Sequence, residues 1–104
     1  MNKLGINYTE FEDLSVEDCF KIISDAGFDC IFTGYWGKGK NISECKRLAD
    51  KYSLEYECVH APFKDINTLW QKGTKGQKTL HEIQQCIKEC GENKVPYVVV
   101  HLSS

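Results

Sequence analysis

The most constraining feature of this sequence is its alternation of short β-rich runs with amphipathic helical stripes. Leu4-Gly5-Ile6-Asn7, Asp29 to Thr33 and Glu55 to His60 read as strands, and Tyr97-Val98-Val99-Val100-His101 reads as a fourth. Between them run three apolar stripes at helical spacing. Val16, Cys19, Phe20, Ile23 and Ala26 form the first, and Ile42, Cys45, Leu48, Ala49 and Tyr52 the second. Leu80, Ile83, Ile87 and Cys90 mark the third. Ser15 with Asp18, and Asn41 with Glu44, occupy capping positions at the first two helix starts. Gly27 and Gly91 are expected to end the first and third helices. The first three strands recur about every 26 residues, close to a minimal βα unit. Such alternation predicts a (βα)3β chain with parallel strands joined by right-handed crossovers. The expected strands lie near 3–7, 29–34, 55–60 and 97–101, in one domain over 1–104 with no internal boundary.

Two strands end on histidine. Glu55-Tyr56-Glu57-Cys58-Val59-His60 runs into Ala61-Pro62-Phe63, and the fourth strand closes on His101. Ligands of parallel α/β sheets bind at the carboxyl ends of the strands, so the pair marks a candidate site. A single strand-end histidine is more often structural; two together point to a ligand. Simple alternation places Cys58 and Tyr56 on the same face as His60, and Val59 and Glu57 against the helices. It likewise places Tyr97 and Val99 with His101. Adjacent strands about 4.8 Å apart would let the imidazoles share one metal, flank two metals, or bind a polyhydroxylated ligand. Two histidines do not complete a metal site. Glu10, Glu12 and Asp13 follow the first strand and are candidate additional donors.

Lys64 to Lys75 lengthens the third unit and carries Ile66, Leu69 and Trp70. Trp70 either lines a pocket on the ligand side or covers the sheet edge. Gly34-Tyr35-Trp36-Gly37-Lys38-Gly39-Lys40-Asn41 mimics a phosphate loop, but Asn41 stands where a magnesium-binding Ser or Thr is needed. Lys38 and Lys40 are read first as solvated, and otherwise as contacts for an anion such as a sugar phosphate. His81, with Gln84, Gln85 and Lys88, reads as solvent-exposed.

The net charge of −2 gives no electrostatic footprint for nucleic acid. No apolar run is long enough to span a membrane, so a cytoplasmic protein with no membrane partner is expected. The six cysteines fall within the periodic segments rather than loops, which argues against a disulfide framework. Cys19, Cys45 and Cys90 act there as small hydrophobes. Cys86 and Cys90 lie one helical turn apart, but no second cysteine pair exists to complete a metal site.

The runs "VHAPF", "INTLW" and "VVVHLSS" resemble the xylose isomerase-like TIM-barrel superfamily, which includes sugar phosphate isomerases and epimerases and the apurinic-site endonucleases. The resemblance covers essentially the whole chain and looks closest to the isomerase/epimerase-like proteins. It implies the amino-terminal half of a (β/α)8 barrel, ending just after the fourth strand. It also implies a divalent metal (Mn, Mg, Co or Zn) and a sugar or sugar phosphate substrate, with His60, His101, Trp70 and Phe63 lining the substrate site. In the endonuclease branch, the histidines matching His60 and His101 are metal ligands. In the isomerase branch, later strands carry the metal and the proton-transferring glutamates. The chain is therefore expected to be inactive alone. The alternatives are a non-catalytic binding or assembly module, a degenerate remnant, and a metal-dependent phosphodiesterase. The last is disfavoured by the charge and the single arginine, Arg47. A half-barrel leaves its inner face and two strand edges open, so a homodimer or a missing carboxyl-terminal half-barrel is the expected partner.

Overall fold

The computed structural model describes residues 3–10, 13–62, 69 and 73–101. Among the described residues seven elements follow one another: β1 (Gly5–Asn7), α1 (Val16–Asp25), β2 (Cys30–Gly34), α2 (Ile42–Lys51), β3 (Glu55–His60), α3 (Thr74–Glu92) and β4 (Tyr97–Val99). The strands form one parallel sheet in the order β1-β2-β3-β4. The described helices pack on one face of it, and no described helix covers the other.

The first two helices form as their stripes predict. α1 buries Cys19 and Phe20, and Ser15 Oγ accepts a hydrogen bond from Asp18 N at 3.0 Å. Gly27, at φ +96°, then turns the chain into β2. α2 buries Ile42, Cys45, Leu48 and Ala49. Asn41 does not cap it with its side chain. Its amide instead spans the preceding loop: Oδ1 accepts from Trp36 N, and Nδ2 donates to the Gly34 carbonyl and to Thr33 Oγ1.

The third helix is rotated from expectation. It buries Gly76, Thr79, Ile83, Cys86 and Cys90, while Leu80 and Ile87 are 47% and 50% exposed. Small residues let α3 approach its neighbours closely, which turns the bulkier Leu80 and Ile87 outward. The helix also runs past Gly91, and the left-handed turn falls at Lys94, φ 58°.

β3 departs from simple alternation. Ile31 pairs with Tyr56 but Phe32 pairs with Cys58, so Glu57 is the extra residue of a bulge. Tyr56 is therefore not on the open face with His60. It joins Val59 in the core beneath the helices, 2% exposed. Nor does Glu57 face the helix layer: it lines the open-face hollow with Cys58 and His60. β4 ends at Val99, so His101 lies two residues beyond the strand rather than on its last position.

The core joins Tyr8, Phe20, Ile31, Leu48, Tyr56 and Val59 with buried cysteines from all three helices. All six cysteines are free, and only Cys58 is not fully buried. No described helix is long and apolar enough to cross a membrane.

Candidate functional site

The site is built at the carboxyl ends of β3 and β4. Cys58, Val59 and His60 pair with Tyr97, Val98 and Val99, and Ala61 N donates to the Val99 carbonyl at 2.9 Å. This register brings His101, one alternation past Val99, beside His60. The two imidazole centroids lie 6.0 Å apart with their planes tilted by 36°, and both side chains are half-buried. Below His60 an open hollow of about 380 Å³ is lined by Phe32, Glu57, Cys58, His60 and Tyr97. Tyr97 is 62% exposed there.

Two imidazoles bound to one ion at about 2.0–2.1 Å, at a tetrahedral angle, hold their centroids about 5 Å apart. The observed pair is about an ångström wider, so its donor set fits part of a metal site. Among the described residues no third His, Cys, Asp or Glu joins it closely enough to complete one. Glu10 and Asp13 are exposed, and Glu12 lies outside the described residues. Phe63 and Trp70 also lie outside them, so their expected places at the substrate site fall beyond this description. Leu69 packs half-buried against the core.

A different donor cluster, unseen in the sequence, occurs at the opposite end of the sheet. Cys30 Sγ and carboxylate oxygens of Glu55 and Glu57 lie within 4.8 Å of one another, because the bulge carries Glu57 toward the start of β2. Lys3 already pairs with Glu55 at 2.7 Å. Burial, with a hydrogen bond to Glu57, pushes the Cys30 thiol up and keeps it protonated. The cluster is closed on itself. The Cys86 thiol is likewise held up by its hydrogen bond to Cys90 and by burial, which suits core packing rather than metal ligation.

The phosphate-loop lookalike is folded in a way that opposes phosphate. Gly39 N donates to Glu89 Oε1 at 2.9 Å, Trp36 N to Asn41, and Lys40 N to the Gly37 carbonyl. The Tyr35 hydroxyl donates to the other Glu89 oxygen. A carboxylate from α3 thus takes an amide that a phosphate would need.

The same loop forms a cleft that sequence reasoning missed. Tyr35, Trp36, Gly37 and Lys38 face Pro62 and the α3 residues His81, Glu82 and Gln85 across about 360 Å³. His81 is exposed as expected, but it belongs to this lining. The available signal was an aromatic pair in a loop at the ligand end of the sheet; its opposition to α3 required the fold.

No family model matches this sequence, and no curated protein matches it. Among solved structures the chain is similar to the crystal structure of AP endonuclease, family 2 from Brucella melitensis, with a TM-score of 0.67 and 13% sequence identity. The match covers 94% of this chain and 40% of that one. The chain thus has the fold of one half of a (β/α)8 barrel and spans 40% of the length of that endonuclease.

Proposed function

We propose that this chain is the catalytically incomplete half of a metal-dependent, xylose isomerase-like barrel enzyme acting on a sugar or sugar phosphate. The observation that carries the reading is the His60–His101 pair at the carboxyl ends of β3 and β4, where parallel barrels hold their chemistry. In this reading His60 and His101 would line the substrate pocket and add imidazole donors to a divalent ion held mainly by the completing half, and such an ion polarises a substrate carbonyl. The open hollow beneath them, with Phe32, Glu57 and Tyr97, would form one wall of the substrate site. Proton transfer between neighbouring carbons needs a positioned acid and base, which are assigned to a completing half.

A second reading, a metal-dependent phosphodiesterase acting at abasic sites, is favoured by the likeness to the Brucella endonuclease and by the histidine pair itself. The net charge of −2 and the lone Arg47 weigh against it, since phosphate contacts dominate nucleic-acid affinity.

The same reading assigns a partner to the open face and sheet edges, either a second copy closing an eight-stranded barrel or a completing carboxyl-terminal half-barrel. Turnover assays test the enzyme readings. The chain alone, with Mn²⁺ or Zn²⁺, is expected to leave ketose phosphates and abasic-site DNA unchanged. Activity should appear only when the remaining βα units are supplied, and its substrate decides between the two readings. Robust turnover by the 104-residue chain alone would overturn the incomplete-half account.

A further inference from the structure

The cleft between the β2–α2 loop and α3 holds two opposite charges that do not meet. Lys38 stands on its loop wall and Glu82 on its α3 wall, across about 360 Å³, a volume within the range of small-ligand pockets. Lys38 is exposed and Glu82 half-buried. Among the described residues neither makes an ion pair, with the other or with a third group. Other charges of this chain do pair: Lys3 with Glu55, Lys46 with Asp50, Arg47 with Glu44 and Lys51 with Glu17. Neither His60 nor His101 lines the cleft.

The loop adds donors of its own. Trp36 N, Gly39 N and Lys40 N are spent on Asn41, Glu89 and the Gly37 carbonyl. The Gly37 and Lys38 amides have no partner among the described residues. One wall therefore offers an ammonium and two successive free amides, which together suit a carboxylate. The other offers the Glu82 carboxylate, which only accepts. An aromatic face lies beside them. Trp36 packs against Tyr8, with ring centroids 6.0 Å apart, and Tyr8 is itself buried edge-on against Phe20 at 5.1 Å. Trp36 keeps 36% of its surface exposed, and so anchored a ring binds an apolar group at low ordering cost.

These features select by charge. A phosphate dianion drawn to Lys38 would face Glu82, and a simple amine drawn to Glu82 would face Lys38. An uncharged ring would leave both charges without a counter-charge. A carboxylate and an ammonium on one carbon satisfy both walls at once. We propose that this cleft binds the zwitterion of a free α-amino acid with an apolar side chain. The carboxylate meets Lys38 and the Gly37 and Lys38 amides, the ammonium meets Glu82, and the side chain packs on Trp36.

The proposal does not rest on the metal half-site, and amide chemical-shift titration in the presence of EDTA tests it alone. The probes are L-leucine, N-acetyl-L-leucine, L-leucinamide, methyl glucoside and inorganic phosphate. L-Leucine should shift the amides of residues 35–38 and 81–85 saturably. N-Acetyl-leucine lacks the cation and leucinamide lacks the anion, so each should bind about tenfold more weakly. Methyl glucoside and phosphate should also bind more weakly than leucine. Lys38→Gln should weaken leucine about tenfold without weakening leucinamide. Glu82→Gln should weaken leucine likewise without weakening N-acetyl-leucine. Neither side chain has an ion-pair partner among the described residues, so both variants should keep the wild-type amide spectrum. His101→Ala should leave leucine binding unchanged. The assignment is overturned by the absence of a saturable leucine shift, or by any other probe binding as tightly as leucine. Full leucine binding by folded Lys38→Gln or Glu82→Gln, or its loss in His101→Ala, overturns it equally.

Discussion

The Tyr56 hydroxyl and Thr33 Oγ1 lie 2.5 Å apart in the buried layer between sheet and helices. The contact exists because the bulge at Glu57 turns Tyr56 away from the open face and over β2. Thr33 also donates to the Gly34 carbonyl at 2.8 Å and accepts from Asn41 Nδ2 at 3.3 Å. One hydroxyl therefore ties β2, β3 and the β2–α2 loop together.

That network gives an asymmetric prediction. Tyr56→Phe removes one hydroxyl and leaves Thr33 with other partners, so it should cost about 1 kcal/mol of stability. Thr33→Val leaves both the Tyr56 hydroxyl and an Asn41 donor short of a partner in the core, and should cost about 2–3 kcal/mol. Urea unfolding of the two variants measures this. An equal or reversed order would mean that the hydroxyl of Thr33 is not the hub.

Several buried acids predict loss of stability in alkali. Burial pushes the Cys45 thiol up to about 12, from an ordinary 9.0. Burial first, and secondarily the Glu89 carboxylate, raises the Tyr35 phenol above its ordinary 10.0. Burial likewise raises Tyr8 and Tyr56. The folded chain therefore holds protons that the unfolded chain releases, so raising the pH favours unfolding. The melting temperature should be insensitive to these groups below pH 9 and fall steadily between pH 9 and 12. A flat profile over that window would contradict the burial of these groups.

Much of this fold is legible in the sequence, and the exceptions have physical causes. α1 and α2 carry one apolar stripe each, so their buried faces follow from spacing alone. α3 is apolar on two sides, and spacing cannot tell a buried face of Gly76, Thr79 and Cys86 from an exposed pair of Leu80 and Ile87. Tyr56 is misplaced by counting back from His60, because a bulge adds a residue without changing residue types. The adjacency of His60 and His101 follows from strand order, which alternation does predict. The Trp36 cleft does not follow, since its two walls lie far apart in sequence and meet only through the βα packing.

The proposed pairing with a second copy would cover the open face. Tyr97 and Val99 stand exposed on it, at the edge strand β4, with Phe32 and Cys58 beside them. Parallel sheets are stable almost only when both faces are covered. Sedimentation at micromolar concentration should show a dimer, and the paired substitutions Tyr97→Lys and Val99→Lys should convert it to monomer or unfold it. A cooperatively melting wild-type monomer would contradict the expected pairing.

If His60 and His101 act together as half of a metal site, as proposed, calorimetric titration of the purified chain with Zn²⁺ should show weak binding, at micromolar to millimolar affinity, accompanied by shifts of both imidazole proton resonances. His60→Ala and His101→Ala should each reduce that binding at least tenfold, while Glu55→Gln at the opposite end of the sheet leaves it intact. Zinc affinity unchanged by either histidine substitution, or lost on Glu55→Gln, would contradict it.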